Sequence, residues 1–248
     1  VMHYMRGAWE NYDEWETVYG ATGWGREAAL EAFKRVENNE NHGEPWHGKG
    51  GPLNVKSISP LNPLTELYYE ACRRRQLPWN DDFNGEKQEG FGVYQVTQKD
   101  GKRCSAADAF LKPAMTRPNL TVITGALARK VIIEEGRATG IEIETESETC
   151  VVSARREVIL SGGAINTPHL LMLSGIGPAD HLREHGISVE ADMPGVGANM
   201  QDHLDIMARA STRSAKSIGY SLKKFPATAR DVLQWAVTGT GNFTVNPV

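Results

Sequence analysis

Glu157-Val158-Ile159-Leu160-Ser161-Gly162-Gly163-Ala164-Ile165-Asn166-Thr167-Pro168-His169-Leu170-Leu171 reads as a strand, a glycine turn and the start of a helix in direct succession. The apolar run Glu157–Leu160 has the β-branched content of a strand, and Asn166-Thr167-Pro168 has the residues that open a helix, which Gly175 ends. Amides at a helix start lack intrahelical partners, and glycines let a ligand come close, so the arrangement suits an anionic group such as a pyrophosphate. An ordinary strand-to-helix connection, in which the glycines only permit tight packing, explains the same residues.

Working upstream, Leu120–Thr124, Leu127–Ile133, Thr139–Thr145 and Thr149–Ser153 read as strands, with turns at Glu135-Gly136 and Glu146–Glu148. They form a meander that feeds the strand Glu157–Leu160. Nearer the N-terminus, Ala29, Leu30, Phe33 and Val36 recur at helical spacing and predict a helix over Arg26–Glu37. The Asn-, His-, Gly- and Pro-rich stretch from Asn41 to Gly51 predicts irregular backbone. Asn62-Pro63 opens a helix with the apolar stripe Leu64, Leu67, Tyr68 and Ala71, and Arg73, Arg74 and Arg75 close it, where cations meet the helix dipole. A polar loop over Asn80–Gly85, a short strand over Gly90–Thr97 and a short helix from Ser105 to Pro113 follow. Downstream, a helix over Pro178–His185 is stopped by Gly186. The sum is a mixed α/β (α+β) chain.

Charge and composition narrow the function. The 248 residues carry 27 Lys+Arg and 31 Asp+Glu, a net charge of −4, which offers no basic footprint for nucleic acid. With 40% hydrophobic and 23% charged residues the chain has enough apolar surface for packed cores. Cys72, Cys104 and Cys150 lie too far apart for a disulfide framework or a zinc knuckle, which predicts a reducing, cytoplasmic setting. No apolar run approaches the ~18 residues of a membrane helix, so no transmembrane segment is expected.

Several motifs carry chemistry only in part. Gly195-Val196-Gly197 begins like a dinucleotide loop, but Met200 stands at the third glycine position, where a helix would have to pack closely. His181-Leu182-Arg183-Glu184-His185 has zinc-hydrolase spacing, but a solvated amphipathic helix explains it equally well and no convincing third ligand follows. His42 and His47 flank Gly43-Glu44-Pro45-Trp46 and read as hydrogen-bonding loop residues. In Gln201-Asp202-His203-Leu204-Asp205, an acid orienting a histidine in a turn is the safer reading than an acid/base pair.

From the glycine turn onward the chain resembles the glucose-methanol-choline (GMC) oxidoreductases, flavoproteins that oxidise alcohols. The stretch Gly163 to Gly177, with Asn166-Thr167-Pro168, Leu173-Ser174-Gly175 and Ile176-Gly177, satisfies that family's second signature along its length. The likeness extends through Met5-Arg6-Gly7 with Asp13 and Trp15, and His47-Gly48 with Gly51-Pro52-Leu53. It continues in Asn80-Asp81-Asp82-Phe83-Asn84-Gly85, Arg117-Pro118-Asn119-Leu120-Thr121-Val122, and Pro194-Gly195-Val196-Gly197 with Gln201-Asp202-His203. The choline-dehydrogenase-like alcohol dehydrogenase branch is the most similar.

The resemblance implies FAD as cofactor, a small-molecule alcohol as substrate, and an electron acceptor left open between oxygen and a quinone-type carrier. It implies a flavin-binding domain of parallel sheet and meander joined to an antiparallel-sheet substrate domain. Residues 1–56 would be a flavin-contacting segment, 57–98 a portion of the substrate domain, 99–205 a portion of the FAD-binding domain, and 206–248 the start of a second substrate portion. Val1, Met2 and His3 fall where the family places a loop against the isoalloxazine. Ala128 stands where the family usually has a valine whose backbone meets the adenine, and Ser161, Gly162, Gly163 and Ala164 occupy the turn near the cofactor. Asp205 stands where choline-acting members carry an acid facing the quaternary ammonium, while Ala198 and Met200 replace the usual Glu and Leu. The family's nucleotide loop and catalytic histidine have no counterpart in these residues, so an interior portion of a longer enzyme, inactive alone, is expected, with no catalytic residue of its own. A non-catalytic binding or assembly module of the same fold is the competing expectation.

Overall fold

The computed structural model of the chain describes residues 2–59, 61–202, 204, 206 and 225–244. Val1, His203 and Asp205 therefore lie outside the described residues. The chain folds as two compact units, residues 1–120 with 210–248, and residues 121–209.

The first unit is organised by a four-stranded sheet in the order β1-β4-β3-β2, built from β1 (His3–Tyr4), β2 (Glu37–Asn39), β3 (Leu53–Ser57) and β4 (Gln95–Val96). β4 pairs antiparallel with both β1 and β3, whereas β2 and β3 run parallel. The three helices that precede the last strand are α1 (Trp9–Thr17), α2 (Arg26–Val36) and α3 (Pro63–Arg74). α3 starts as its sequence dictates: the Asn62 side chain accepts a hydrogen bond from the Leu64 amide, and Pro63 takes the first position, where no N–H is needed. Arg73 lies 4.0 Å from the Trp79 ring centre and Arg74 pairs with Glu70, so these two arginines of the basic triplet are engaged locally. A hairpin of β5 (Gln98–Lys99) and β6 (Lys102–Arg103) leads to a π-helical turn, Ala107–Leu111, and α4 (Lys112–Ala114). Ser105 and Asp108 cap that turn reciprocally, the Ser105 amide donating to Asp108 Oδ2 and the Asp108 amide to Ser105 Oγ.

The expected strand over Gly90–Thr97 pairs in the sheet only at Gln95–Val96, and Phe91 makes an isolated bridge to Trp79. Polar β2, which its composition does not favour as a strand, is one because Glu37, Asn38 and Asn39 pair with Leu53, Asn54 and Val55.

The second unit is led by the antiparallel meander β7 (Leu127–Glu134), β8 (Arg137–Glu144) and β9 (Thr149–Ser153), with irregularities in the β7–β8 register at Ala128/Lys130 and Ile132/Ile133. Then come α5 (Gly163–Leu173), β10 (Ile176–Gly177), α6 (Ala179–Glu184) and β11 (Ala191–Asp192), with β10 and β11 paired in parallel. Val131, Ile143, Ala179 and Leu182 form its buried apolar positions. Fully buried Ser174 accepts from the Val131 amide at 2.8 Å and donates to the Leu170 carbonyl at 2.6 Å, fastening β7 to α5. Back in the first unit, α7 (Phe225–Thr238) hydrogen-bonds through Trp235 Nε1 to the Gly101 carbonyl.

Two expected strands differ from the structure. Leu120–Thr124 and Glu157–Leu160 pair in no ladder among the described residues. Their side chains suit a pleated sheet, but strand conformation needs a hydrogen-bonded neighbour, which neither segment has here. The helix expected from Asn166 begins earlier, at Gly163, and contains Pro168. Pro168 cannot donate to the carbonyl four residues back, so Ala164 loses its intrahelical donor there.

Candidate functional site

Two sites stand out, one in each unit. In the second, a cavity of about 680 Å³ is lined by β7, β8, the Ile159–Gly162 stretch and α5. That volume suits a small molecule or part of a larger one. Its walls are mostly aliphatic, including Leu127, Ile141, Leu160 and Leu170, with Asn166, Thr167, His169 and Arg129 as polar groups. Arg129 is paired with Glu144 at 3.1 Å. The glycine turn is compact: Gly162 donates its amide to Thr167 Oγ1 at 3.0 Å, and Gly163 has φ +86°, a conformation that disfavours any side chain. No side chain caps α5, so its first amides have none of the usual side-chain acceptors.

Of the residues the sequence points to, Ala128, Ser161 and Gly162 share this cavity, whereas Gly163 and Ala164 lie in the first turn of α5 and are not part of its lining. Met2 and His3 belong to the other unit, where β1 pairs His3 with Val96 and the Met2 carbonyl accepts from the Thr97 amide at 2.8 Å. Asn166, Thr167 and His169 were not singled out as site residues, although they sit inside the matched signature.

The first unit holds a buried polar cluster. Glu37 Oε1 lies 2.9 Å from Arg6 Nη2 and 2.9 Å from His47 Nδ1, and accepts from the Gly48 amide at 2.9 Å. His47 Nε2 lies 2.8 Å from Asp82 Oδ2. Arg6, Glu37 and His47 are 3%, 0% and 1% exposed, so solvent screens little of this. Asn39 Nδ2 also lies 2.9 Å from His47 Nδ1, but it hands a hydrogen to Gln95 Oε1 at 2.9 Å while Asn39 Oδ1 accepts from the Asn41 and His42 amides. Burial alone favours neutral His47, yet the Asp82 and Glu37 carboxylates outweigh it and hold the imidazole above its ordinary pKa. Burial likewise pushes Glu37 and Asp82 upward, but the His47 ring and, for Glu37, Arg6 outweigh it, so both carboxyls sit below their usual range. Burial raises the Tyr4 hydroxyl to about 12. Gly48 is required by packing: a Cβ there would sit 1.8 Å from the Lys34 carbonyl oxygen.

His47 is thus a hydrogen-bonding residue, as its loop spacing suggests, but Glu37 and Asp82 were invisible as partners because 10 and 35 residues separate them from it. The pair of His181 on α6 and His185 at its C-terminal cap is exposed, with ring centres 4.7 Å apart, and among the described residues no group of three or more His, Cys, Asp or Glu could hold a metal ion. After β11, Pro194–Gly197 forms a turn with no helix behind it up to Met200, so this glycine pair does not open a nucleotide-binding helix. No helix among the described residues is long and apolar enough to cross a membrane.

A meander packed against a helix, with an apolar-walled cavity at a glycine turn, makes the second unit a mixed α/β fold. The chain belongs to the GMC oxidoreductase family, whose profile matches residues 1–205. It is 44% identical over 245 residues to an oxygen-dependent choline dehydrogenase of Brucella ovis, covering 99% of this chain and 44% of the relative. With the protein of the same name from Rhizobium etli it shares 50% identity over 204 residues, 82% of this chain and 37% of the relative. The chain therefore spans less than half the length of the curated relatives it matches. Among solved structures, pyridoxine 4-oxidase from Mesorbium loti superposes with TM-score 0.72 at 34% identity, over 78% of this chain and 38% of that one. An FAD-dependent oxidoreductase from Chaetomium thermophilum superposes with TM-score 0.82 at 26% identity, over 98% and 45% of the two chains.

Proposed function

We propose that the chain is part of an FAD-dependent oxidoreductase that acts on the CH–OH group of an alcohol. The observation that carries this reading is the cavity in which Ala128, Ser161 and Gly162 meet, within a chain of the GMC family. Its aliphatic walls suit the flat faces of an adenine, and the backbone of Ala128 at the β7 edge offers polar groups to the purine rim. The uncapped first turn of α5, at Gly163 and Ala164, favours the negative charge of a pyrophosphate. By the family likeness, Val1, Met2 and His3 would be the residues of this chain set toward the isoalloxazine. Bound FAD supplies the hydride acceptor. The chain's own residues would bind and orient it: Leu127, Ile141 and Leu170 would exclude water from the adenine, and the glycine turn with the first turn of α5 would hold the phosphates.

Within the proposed enzyme, residues 1–56 contact flavin, 57–98 and 206–248 contribute to the substrate domain, and 99–205 contribute to the FAD-binding domain. The three free thiols suit a cytoplasmic setting. The chain covers 44% of its Brucella relative, so the 248 residues alone are expected to reduce no dye with any primary alcohol. Protein expressed from its complete reading frame is expected to show flavin absorbance and to release FAD on denaturation. A colourless protein would overturn the assignment.

A further inference from the structure

The buried cluster of the first unit is satisfied unevenly. Among the described residues four buried side-chain atoms make no hydrogen bond: Tyr4 Oη, Arg6 Nε, Arg6 Nη2 and Glu37 Oε2. The two oxygens of Glu37 differ sharply. Oε1 accepts from the Gly48 amide and lies 2.9 Å from both His47 Nδ1 and Arg6 Nη2, while Oε2, which carries an equal share of the carboxylate charge, has no partner. Arg6 is lopsided in the same way. Its Nη1 donates to the Trp46 carbonyl at 2.7 Å and the Asn84 carbonyl at 3.1 Å, whereas Nε donates to nothing and Nη2 meets Glu37 without hydrogen-bond alignment. The four atoms belong to one neighbourhood: Arg6 Cζ lies 5.8 Å from the Tyr4 ring centre, and the charges of both Arg6 and Glu37 act on the Tyr4 hydroxyl. Arg6 is 3% and Glu37 0% exposed, so bulk solvent does not supply the missing bonds. Orphaned polar atoms are costly in a dry interior, and folded proteins pair nearly all of theirs.

The unpaired set dictates the chemistry of its ligand. It offers two N–H donors on Arg6, one acceptor on Glu37, and a hydroxyl that can do either. An anion would be repelled by Glu37 Oε2 and a cation by the Arg6 guanidinium, while an apolar molecule would leave all four atoms orphaned. A direct bond between Tyr4 and Glu37 would still leave Arg6 Nε without an acceptor. We propose that Tyr4, Arg6 and Glu37 bind one internal water molecule, which accepts from Arg6 Nε and Nη2 and donates to Glu37 Oε2 and Tyr4 Oη. Buried waters typically make about three such bonds to polar groups that have no other partner. The Tyr4 proton can turn to the second lone pair of Glu37 Oε2. The site has a structural task as well. Tyr4 lies on β1 and Glu37 on β2, the two outermost strands in the order of the four-stranded sheet, and Arg6 follows β1 by two residues. The water bridges these segments beside the direct Arg6–Glu37 ion pair, so that both ions keep a full set of partners. This holds whether or not the chain carries FAD.

A crystal structure of protein from the complete reading frame, at a resolution that orders internal water, tests the site directly. One fully occupied solvent peak without anomalous signal is expected at hydrogen-bond distance, about 2.7–3.2 Å, from Arg6 Nε and Glu37 Oε2, and within reach of Tyr4 Oη. Tyr4 Oη in direct contact with Glu37 Oε2 and no density between the three side chains overturns the proposal, as does an ion at the peak. In solution, water held there for longer than the protein tumbles should give a cross-relaxation peak between the Arg6 Nε–H proton and the water resonance, with the sign of a rigid internal contact. Its absence overturns the proposal in the same way.

Discussion

The two units are made from different materials. All six Trp, seven Tyr and six Phe fall in the first unit, and none falls between residues 121 and 209. The first unit buries Trp9, Tyr12 and Phe83 beside Arg6, Glu37, Asn39, His47, Asn84 and Gln95, so aromatic bulk and a charged, hydrogen-bonded polar network share its interior. The second has no Trp, Tyr or Phe to work with, and no residue of α5 is buried even though the helix is largely apolar. Ile159 is 75% exposed and Ile165 69%. A closed polar network fixes backbone geometry, because each buried charge is costly unless its partners stay in place. Open aliphatic walls instead leave surface for a ligand to cover.

The contrast can be broken most severely at Glu37. Glu37→Ala leaves Arg6 and His47 with one buried anion and is expected to cost about 3–5 kcal/mol, read by urea unfolding with tryptophan fluorescence, which reports the first unit alone. In the second unit volume should matter in place of charge. Leu182→Ala, at a fully buried position, is expected to cost about 2–4 kcal/mol, measured by hydrogen exchange of β10 and α6 because no aromatic reports there. Ser174→Ala leaves the buried Val131 amide without an acceptor and should cost about 1–3 kcal/mol, seen as lost protection at that amide.

The gentlest effect is on pH, and its sign follows from the cluster. Glu37 and Asp82 titrate below their reference values of 4.5 and 3.8, so their contribution is present above those values and is lost as pH falls through the folded-state pKa values. His47 titrates above 6.5, so its contribution is complete below that value and is lost as pH rises through the folded-state pKa. The first unit should be most stable between 4.5 and 6.5 and weaken on both sides. A flat profile by fluorescence-monitored unfolding would remove the cluster from the account of that unit.

How much of this could be read in advance depended on range. α2 and α3 were legible because their stripes and the Asn62-Pro63 cap act within a turn or two. The meander was legible because alternation and Glu135-Gly136 are local as well. Strand β2 was not, since Glu37-Asn38-Asn39 is a strand only through its pairing with Leu53–Val55. Glu157–Leu160 failed in the opposite direction, having the right residues and no ladder to join. At the candidate site the glycine turn was legible as an anion site from its own residues and Ala128 came from family resemblance, while Asp82 entered only as one letter of a quoted motif. Nothing in the sequence joined it to His47.

The charge balance at positions 6, 37, 47 and 82 also bears on how this protein can change over generations. A neutral substitution at position 6, 37 or 82 takes one partner from a buried opposite charge, whereas a cation and an anion replaced together leave the sum at zero. Drift at these positions must therefore proceed by paired exchange. In an alignment of relatives they should be constant or vary as couples, while exposed ion-pair positions such as Asp180 and Arg183 change independently.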